Sequence, residues 1–155
     1  MMTDVFSTLL QELGELIKIK DLHPDSNNSC LIKLPNGLEI QLEPDARAEF
    51  LIIGTTIGSV PQGRYRESIF REALKANGMP LPRYGIFSFS KKSDKLILFD
   101  TLNLKDLSGL KVFDFLKPFA EKAQSWKGSI AVGEIPSIIG TYSNTTSHAG
   151  MFGMK

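Results

Sequence analysis

CLIKLPNGLEIQLEP, residues 30 to 44, decides the fold class. Cys30, Ile32 and Leu34 share one face, and Leu38, Ile40 and Leu42 alternate against Glu39, Gln41 and Glu43. A period of two, repeated on both sides of a turn, is the pattern of two half-buried antiparallel strands. Asn36-Gly37 between them supplies the positive φ values of a type I′ turn, so a two-residue hairpin is expected. A third strand is predicted over residues 48 to 57, AEFLIIGTTI. It is apolar on both faces, which calls for a second layer or a partner on the face the core does not take.

Outward from this hairpin, the elements alternate with helices. Val5, Phe6, Leu9, Leu10, Leu13, Leu16 and Ile17 fall in one stripe at 100° per residue, which predicts a helix over residues 4 to 19 with Thr3 or Asp4 as its N-cap. After Pro61 and Gly63, Arg64 to Asn77 reads as a second helix, with Gly78 placed as its C′ glycine. GIFSFSKK (85 to 92) and KLILFDTL (95 to 102) form a second hairpin around Ser93-Asp94. Val112, Phe115, Leu116, Phe119, Ala123 and Trp126 line a last helix, in which Pro118 predicts a kink or a restart because it removes one backbone donor. The expected fold is α+β, an α-β-β-β-α-β-β-α subunit built on a mainly antiparallel twisted sheet. The prediction is a single domain over residues 1 to 128. Residues 129 to 155, with only Glu134 and Lys155 charged, are expected to form a flexible tail whose candidate docking points are Ile138, Ile139, Met151 and Phe152.

Composition narrows the function. The chain has 155 residues, 18 basic and 17 acidic, for a formal charge of +1, so no global field draws it to nucleic acid or an anionic membrane. Cys30 is the single cysteine, which excludes an internal disulfide and a paired-thiol zinc site. The start Met1-Met2-Thr3-Asp4 lacks the basic region of a signal peptide, and no window approaches the roughly 20 apolar residues of a membrane span. A cytoplasmic protein with no membrane insertion is therefore expected.

Catalytic chemistry needs groups held in a fixed geometry, and His23 and His148 lie in a polar loop and in the expected tail. Cys30 alternates with Ile32 on an apolar face, the position of a buried hydrophobe rather than a nucleophile. Gly54, Gly58 and Gly63 match no phosphate-loop spacing, and Glu67 and Glu72 interrupt the basic run Arg64, Arg66, Arg71 and Lys75. Asn27-Asn28-Ser29 and Asn144-Thr145-Thr146 match glycosylation acceptors, which carry no meaning without export. Neither a cofactor nor a metal is expected. The competing reading is a small α+β enzyme or ligand-binding protein using Arg83, Tyr84 and Asp100, and a less favoured one is a DNA-binding dimer presenting the helix from Arg64 to Lys75.

The helix FSTLLQELGELIKI, the hairpin CLIKLPNGLEIQLEP, the strand FLIIGTTIG followed by a proline and RYRESIFREALKANG, then GIFSFSKKSDKLILFDTLNL and the closing FAEKAQSW together resemble a class I type III secretion chaperone of the Tir-chaperone (CesT-like) family. The resemblance spans about residues 3 to 127. It implies a bacterial cytoplasmic homodimer without enzymatic activity that binds an extended segment of one or more secreted effector proteins and keeps them soluble and export-competent, with export-apparatus components as further partners. Unlike the acidic chains typical of that family, this one has a pI near 7.8.

Within that frame, the apolar face of the second helix, Ile69, Phe70, Ala73 and Leu74, is wider than one sheet requires, and with Phe87 and Phe89 it forms the expected dimer interface. The expected effector-binding surface is the margin of the first helix, at Val5, Leu9 and Leu16, with one strand face at Leu31, Leu51 and Ile53. In the third strand Phe50 and Ile52 oppose Leu51 and Ile53, and the latter pair is taken as outward.

Overall fold

Strand pairing realises the expected order in the computed structural model, which describes residues 5–136. α1 (Val5–Ile17) leads into an antiparallel meander of β1 (Cys30–Lys33), β2 (Glu39–Pro44) and β3 (Phe50–Ser59). α2 (Arg64–Asn77), the hairpin of β4 (Ile86–Ser90) and β5 (Lys95–Asn103), and α3 (Gly109–Ala131) follow. The five strands form one antiparallel sheet in the order β1-β2-β3-β5-β4, so β1 and β4 are its edges.

The β1–β2 turn differs from the expected type I′. Gly37 N donates to Leu34 O at 2.9 Å and Leu34 N to Leu38 O at 2.8 Å, while Gly37 alone of the Asn-Gly pair takes a positive φ, 92°. This is a three-residue loop, Pro35 to Gly37, in which the fixed φ of Pro35 suits the first central position of a type I turn and Gly37 takes the left-handed position after it. Asn36 Oδ1 accepts Leu38 N at 3.0 Å and closes the loop. Gly78 ends α2 as expected, but with φ of −88°, its N–H donating back to Leu74 O and Lys75 O rather than entering the left-handed region.

One sheet face is packed by the core: Cys30, Ile32, Ile40, Leu42, Leu51, Ile53, Ile57, Leu96 and Leu98 are buried there with Phe6, Leu9, Leu10 and Leu13 of α1. The outward side expected for β3 is therefore reversed. Leu51 and Ile53 are fully buried, while Phe50, Ile52, Gly54 and Thr56 take the other face. Thr55, also inward, is satisfied by donating to Glu39 O at 2.6 Å.

α3 runs from Gly109 to Ala131 through Pro118, so of the expected kink or restart the restart is absent. Leu116 and Phe119 flank the proline and are buried, and Ala123 and Trp126 continue the same stripe. Packing on both sides offsets the one lost donor. Ser108 caps the helix by accepting Lys111 N at 3.2 Å, and Glu12 of α1 accepts Gly109 N at 2.8 Å. Only glycine fits at 109, since a Cβ there would lie 2.4 Å from Glu12 Cβ.

The helix also runs past Trp126 into the stretch expected to be tail. Ile130 packs against the core and Tyr65 donates its hydroxyl to Glu134 O at 2.7 Å, so the body reaches beyond residue 128. Thr3, Asp4, Ile138, Ile139, Asn144 to Thr146, His148, Met151 and Phe152 lie outside the described residues.

Candidate functional site

α2 leans on β4, and the line where they meet is an apolar cleft of about 200 Å³ lined by Phe70, Ala73, Leu74, Asn77, Phe87, Phe89 and their neighbours. Helical spacing brings Phe70 and Leu74 to one flank of α2, and strand alternation brings Phe87 and Phe89 to one side of β4. Phe70 and Phe89 meet edge to face with centroids 4.9 Å apart, and the guanidinium of Arg66 lies 4.8 Å from the Phe89 ring centre. Arg66 is itself held by Val60 O and by Asp94 at 3.5 Å. Phe87 is anchored from below by Trp126, at 4.0 Å between ring centres. Leu74, at 70% exposure, stands open to solvent on the rim.

The opposite sheet face carries a second concavity of about 500 Å³, with Leu31, Ile52, Gly54, Ile97 and Phe99 on its floor and Glu39, Gln41, Glu43 and Lys127 around it. Cross-strand register explains the floor: Leu31 pairs with Gln41, Gln41 with Gly54 and Gly54 with Phe99, one continuous row across four strands. Gln41 donates to Glu43 at 2.8 Å, and Glu39 pairs with Lys33 at 3.4 Å. Along the adjoining β1 edge, Leu34 N bonds to β2, so by alternation Cys30 and Ile32 also face β2 while Leu31 and Lys33 direct their backbone groups to the side away from β2.

These surfaces sit on a recognisable scaffold. The family model described as "Tir chaperone protein (CesT) family" matches residues 8–127. This chain belongs to the Tir chaperone family. Membership makes it a class I type III secretion chaperone, the class its sequence resembles. Solved structures of that fold agree. One is the Yersinia pestis type III secretion chaperone SycH in complex with a stable fragment of YscM2, at 20% identity and TM-score 0.61, covering 78% of this chain and 98% of that one. A chain of the ExoT–SpcS complex from Pseudomonas aeruginosa matches at 14% identity and TM-score 0.61, over 79% and 97%. A chain of the ExoU–SpcU complex from the same organism's type III secretion system matches at 16% identity and TM-score 0.55, over 84% and 98%. No curated protein sequence matches the chain.

Against this Tir chaperone scaffold, five of the six residues expected at a dimer interface line the α2–β4 cleft, and Ile69 lies beneath it in the core. The effector-binding set divides differently. Val5, Leu16 and Leu31 are exposed at 62%, 40% and 56%, whereas Leu9, Leu51 and Ile53 are core residues. Leu31 lies on the sheet face opposite Ile32, away from the helical layer. Sequence reasoning missed Ile52, Ile97 and Phe99. The available signal was in β3, where Leu51, Ile53 and Ile57 continue one bulky face while the other thins to Gly54, Thr56 and Gly58.

The residues of the competing enzyme reading have structural partners. Asp100 accepts Gly85 N and Thr101 N, each at 2.8 Å, Tyr84 lies against Phe115 at 5.6 Å, and Arg83 donates to Met79 O at 3.1 Å. Lys122 donates to Arg83 O and Gly85 O, both at 2.9 Å. Burial lowers its pKa to about 8, with Asp100 opposing and Arg83 adding to the shift. His23 is exposed and bonds Pro24 O, and burial, with Asp25 nearby, pushes the Cys30 thiol up. Among the described residues, no group of three or more His, Cys, Asp or Glu is placed to hold a metal, and no helix is long and apolar enough to cross a membrane.

Proposed function

We propose that this chain works in the bacterial cytoplasm as a non-enzymatic homodimer that holds an extended segment of a secreted effector on the outer sheet face and along β1. The observation that carries the reading is the concavity floored by Leu31, Ile52, Ile97 and Phe99 beside an edge strand whose outward backbone groups are unpaired by β2. An extended segment gains main-chain hydrogen bonds at such an edge and specificity from alternate side chains entering apolar pockets. Ordering a flexible cargo costs entropy, which a long apolar contact offsets. Val5 and Leu16 on α1 extend the contact surface on the helical side. Two copies joined through the α2–β4 cleft present the same pockets twice. Leu74, Phe70 and Phe89 are the anchors that a second copy would cover.

The test is co-purification from the native cytoplasm with identification of bound proteins by mass spectrometry, repeated with Leu31→Asp and Leu16→Asp. Exposed apolar positions accept charge at little cost to folding. Loss of a secreted partner from either variant, with the melting temperature kept, supports the reading. Retention of that partner by both variants contradicts this placement of the surface.

A further inference from the structure

A free edge strand accepts any extended segment unless something covers it, and in this sheet the two edges are treated differently. On β4 the backbone groups that do not face β5 are those of alternate residues, Phe87 and Phe89. Asn77, the last residue of α2, meets Phe87 with both ends of its carboxamide: Nδ2 donates to Phe87 O at 2.9 Å and Oδ1 accepts Phe87 N at 2.8 Å. The two bonds are those an antiparallel neighbour would make at a hydrogen-bonded pair. Gly85 is closed as well, its N–H by Asp100 Oδ2 at 2.8 Å and its carbonyl by Lys122 Nζ at 2.9 Å. Phe89 lies under Phe70 and Arg66.

We infer that Asn77 is a specificity-determining residue that closes β4 to an incoming strand, so that the sheet can be extended at β1 and not at β4. The segment it excludes most directly is β4 of a second copy. Two β4 strands meeting about a two-fold axis at Ser88 would bond Phe87 of one to Phe89 of the other, and the groups needed on Phe87 are those Asn77 occupies. A carboxamide is suited to this because it alone among neutral side chains offers one donor and one acceptor in the geometry of a peptide group. The edge is thereby closed at Phe87 within the subunit, and contact between copies at this end is left to side chains of the cleft.

In the proposed dimer the α2–β4 cleft is already covered at this same end of the subunit, so the experiment uses full chains that all carry Phe70→Glu, which breaks that contact. Light scattering across a concentration series compares this parent with the parent plus Asn77→Ala, plus Ser88→Lys, and plus both. Asn77→Ala should show about a twofold higher mass than its parent at high concentration, as a self-complementary edge pairs. Adding Ser88→Lys should return the mass to that of the parent with Ser88→Lys alone, because Ser88 and its symmetry mate are directly opposed and like charges there repel. A folded Asn77→Ala protein with its parent's mass overturns the inference, as does a rise that Ser88→Lys does not reverse. Should these chains fail to fold, hydrogen exchange on the wild-type chain decides: the Phe87 amide should exchange at least about tenfold more slowly than that of Phe89, and equal rates overturn the proposal. A monomeric wild type would refute the proposed dimer and leave this test intact.

Discussion

Replacing Gly109 by alanine tests how α1 is seated. The added Cβ would stand 2.4 Å from Glu12 Cβ, 2.8 Å from Leu13 N and 2.9 Å from the Glu12 carbonyl carbon. Carbon atoms in contact prefer about 3.5–4.0 Å, and two of these neighbours are backbone, so the helices must separate by about 1 Å. Forcing a methyl group into packed space costs about 1–3 kcal/mol. The separation also stretches the 2.8 Å bond by which Glu12 caps Gly109 N, worth about 1 kcal/mol. The sum is roughly 2–4 kcal/mol, or a fall of roughly 5–15 °C in melting temperature for a chain of this length. Thermal unfolding followed by circular dichroism reads it directly, with Glu12→Gln as a control that keeps the acceptor and should lose far less. A melting temperature unchanged or raised by Gly109→Ala, the outcome at an open helical glycine, would refute the close seating of α1 on α3.

Other outcomes follow from the same contacts. Phe70→Glu places a carboxylate in the α2–β4 cleft and should convert a dimer to a 17.2 kDa monomer or to insoluble protein by light scattering, whereas an unchanged dimer places the interface elsewhere. Lys122 has a folded pKa near 8 against 10.5 for the free side chain, so the folded chain releases its proton first and its burial penalty is relieved as pH rises from 8 to 10. Relative to Lys122→Met, wild type should therefore gain stability over that window, on the order of 1 kcal/mol after screening, by urea titration at each pH; a constant difference would refute it. Removing residues 137 to 155 should leave the melting temperature within a few degrees, while removal from 132 deletes the Glu134 carbonyl that Tyr65 bonds and should cost more. Equal losses from the two truncations would contradict that contact.

Local patterns were legible where one residue's neighbours in sequence decide its surroundings. The alternation in residues 30 to 44 and the spacing of Ile69, Phe70, Ala73 and Leu74 required no knowledge of the rest of the chain, and both elements form as read. The hairpin loop was misread because Asn-Gly outweighed Pro35, whose fixed φ favours the longer turn. At Pro118 the helix continues without a restart, because propensity counts only the one lost donor and the buried stripe on both sides of it offsets that loss. The face of β3 was reversed for a different reason. A strand apolar on both sides is ambiguous until its partners are known, and Leu51 and Ile53 are inward because they face the same layer as Leu42 and Leu98. The Asn77 contact with Phe87 is a tertiary event that no local pattern announces.

The central claim is that cargo is held on the sheet's outer face and along β1, and hydrogen exchange on the purified chaperone–effector complex against the free chaperone tests it most directly. The amides of Leu31 and Lys33 point to the free edge and should exchange quickly in the free protein and slowly in the complex. The Phe87 amide, already bonded by Asn77, should change little. Protection that leaves Leu31 and Lys33 unchanged and gathers at β4 would contradict the account.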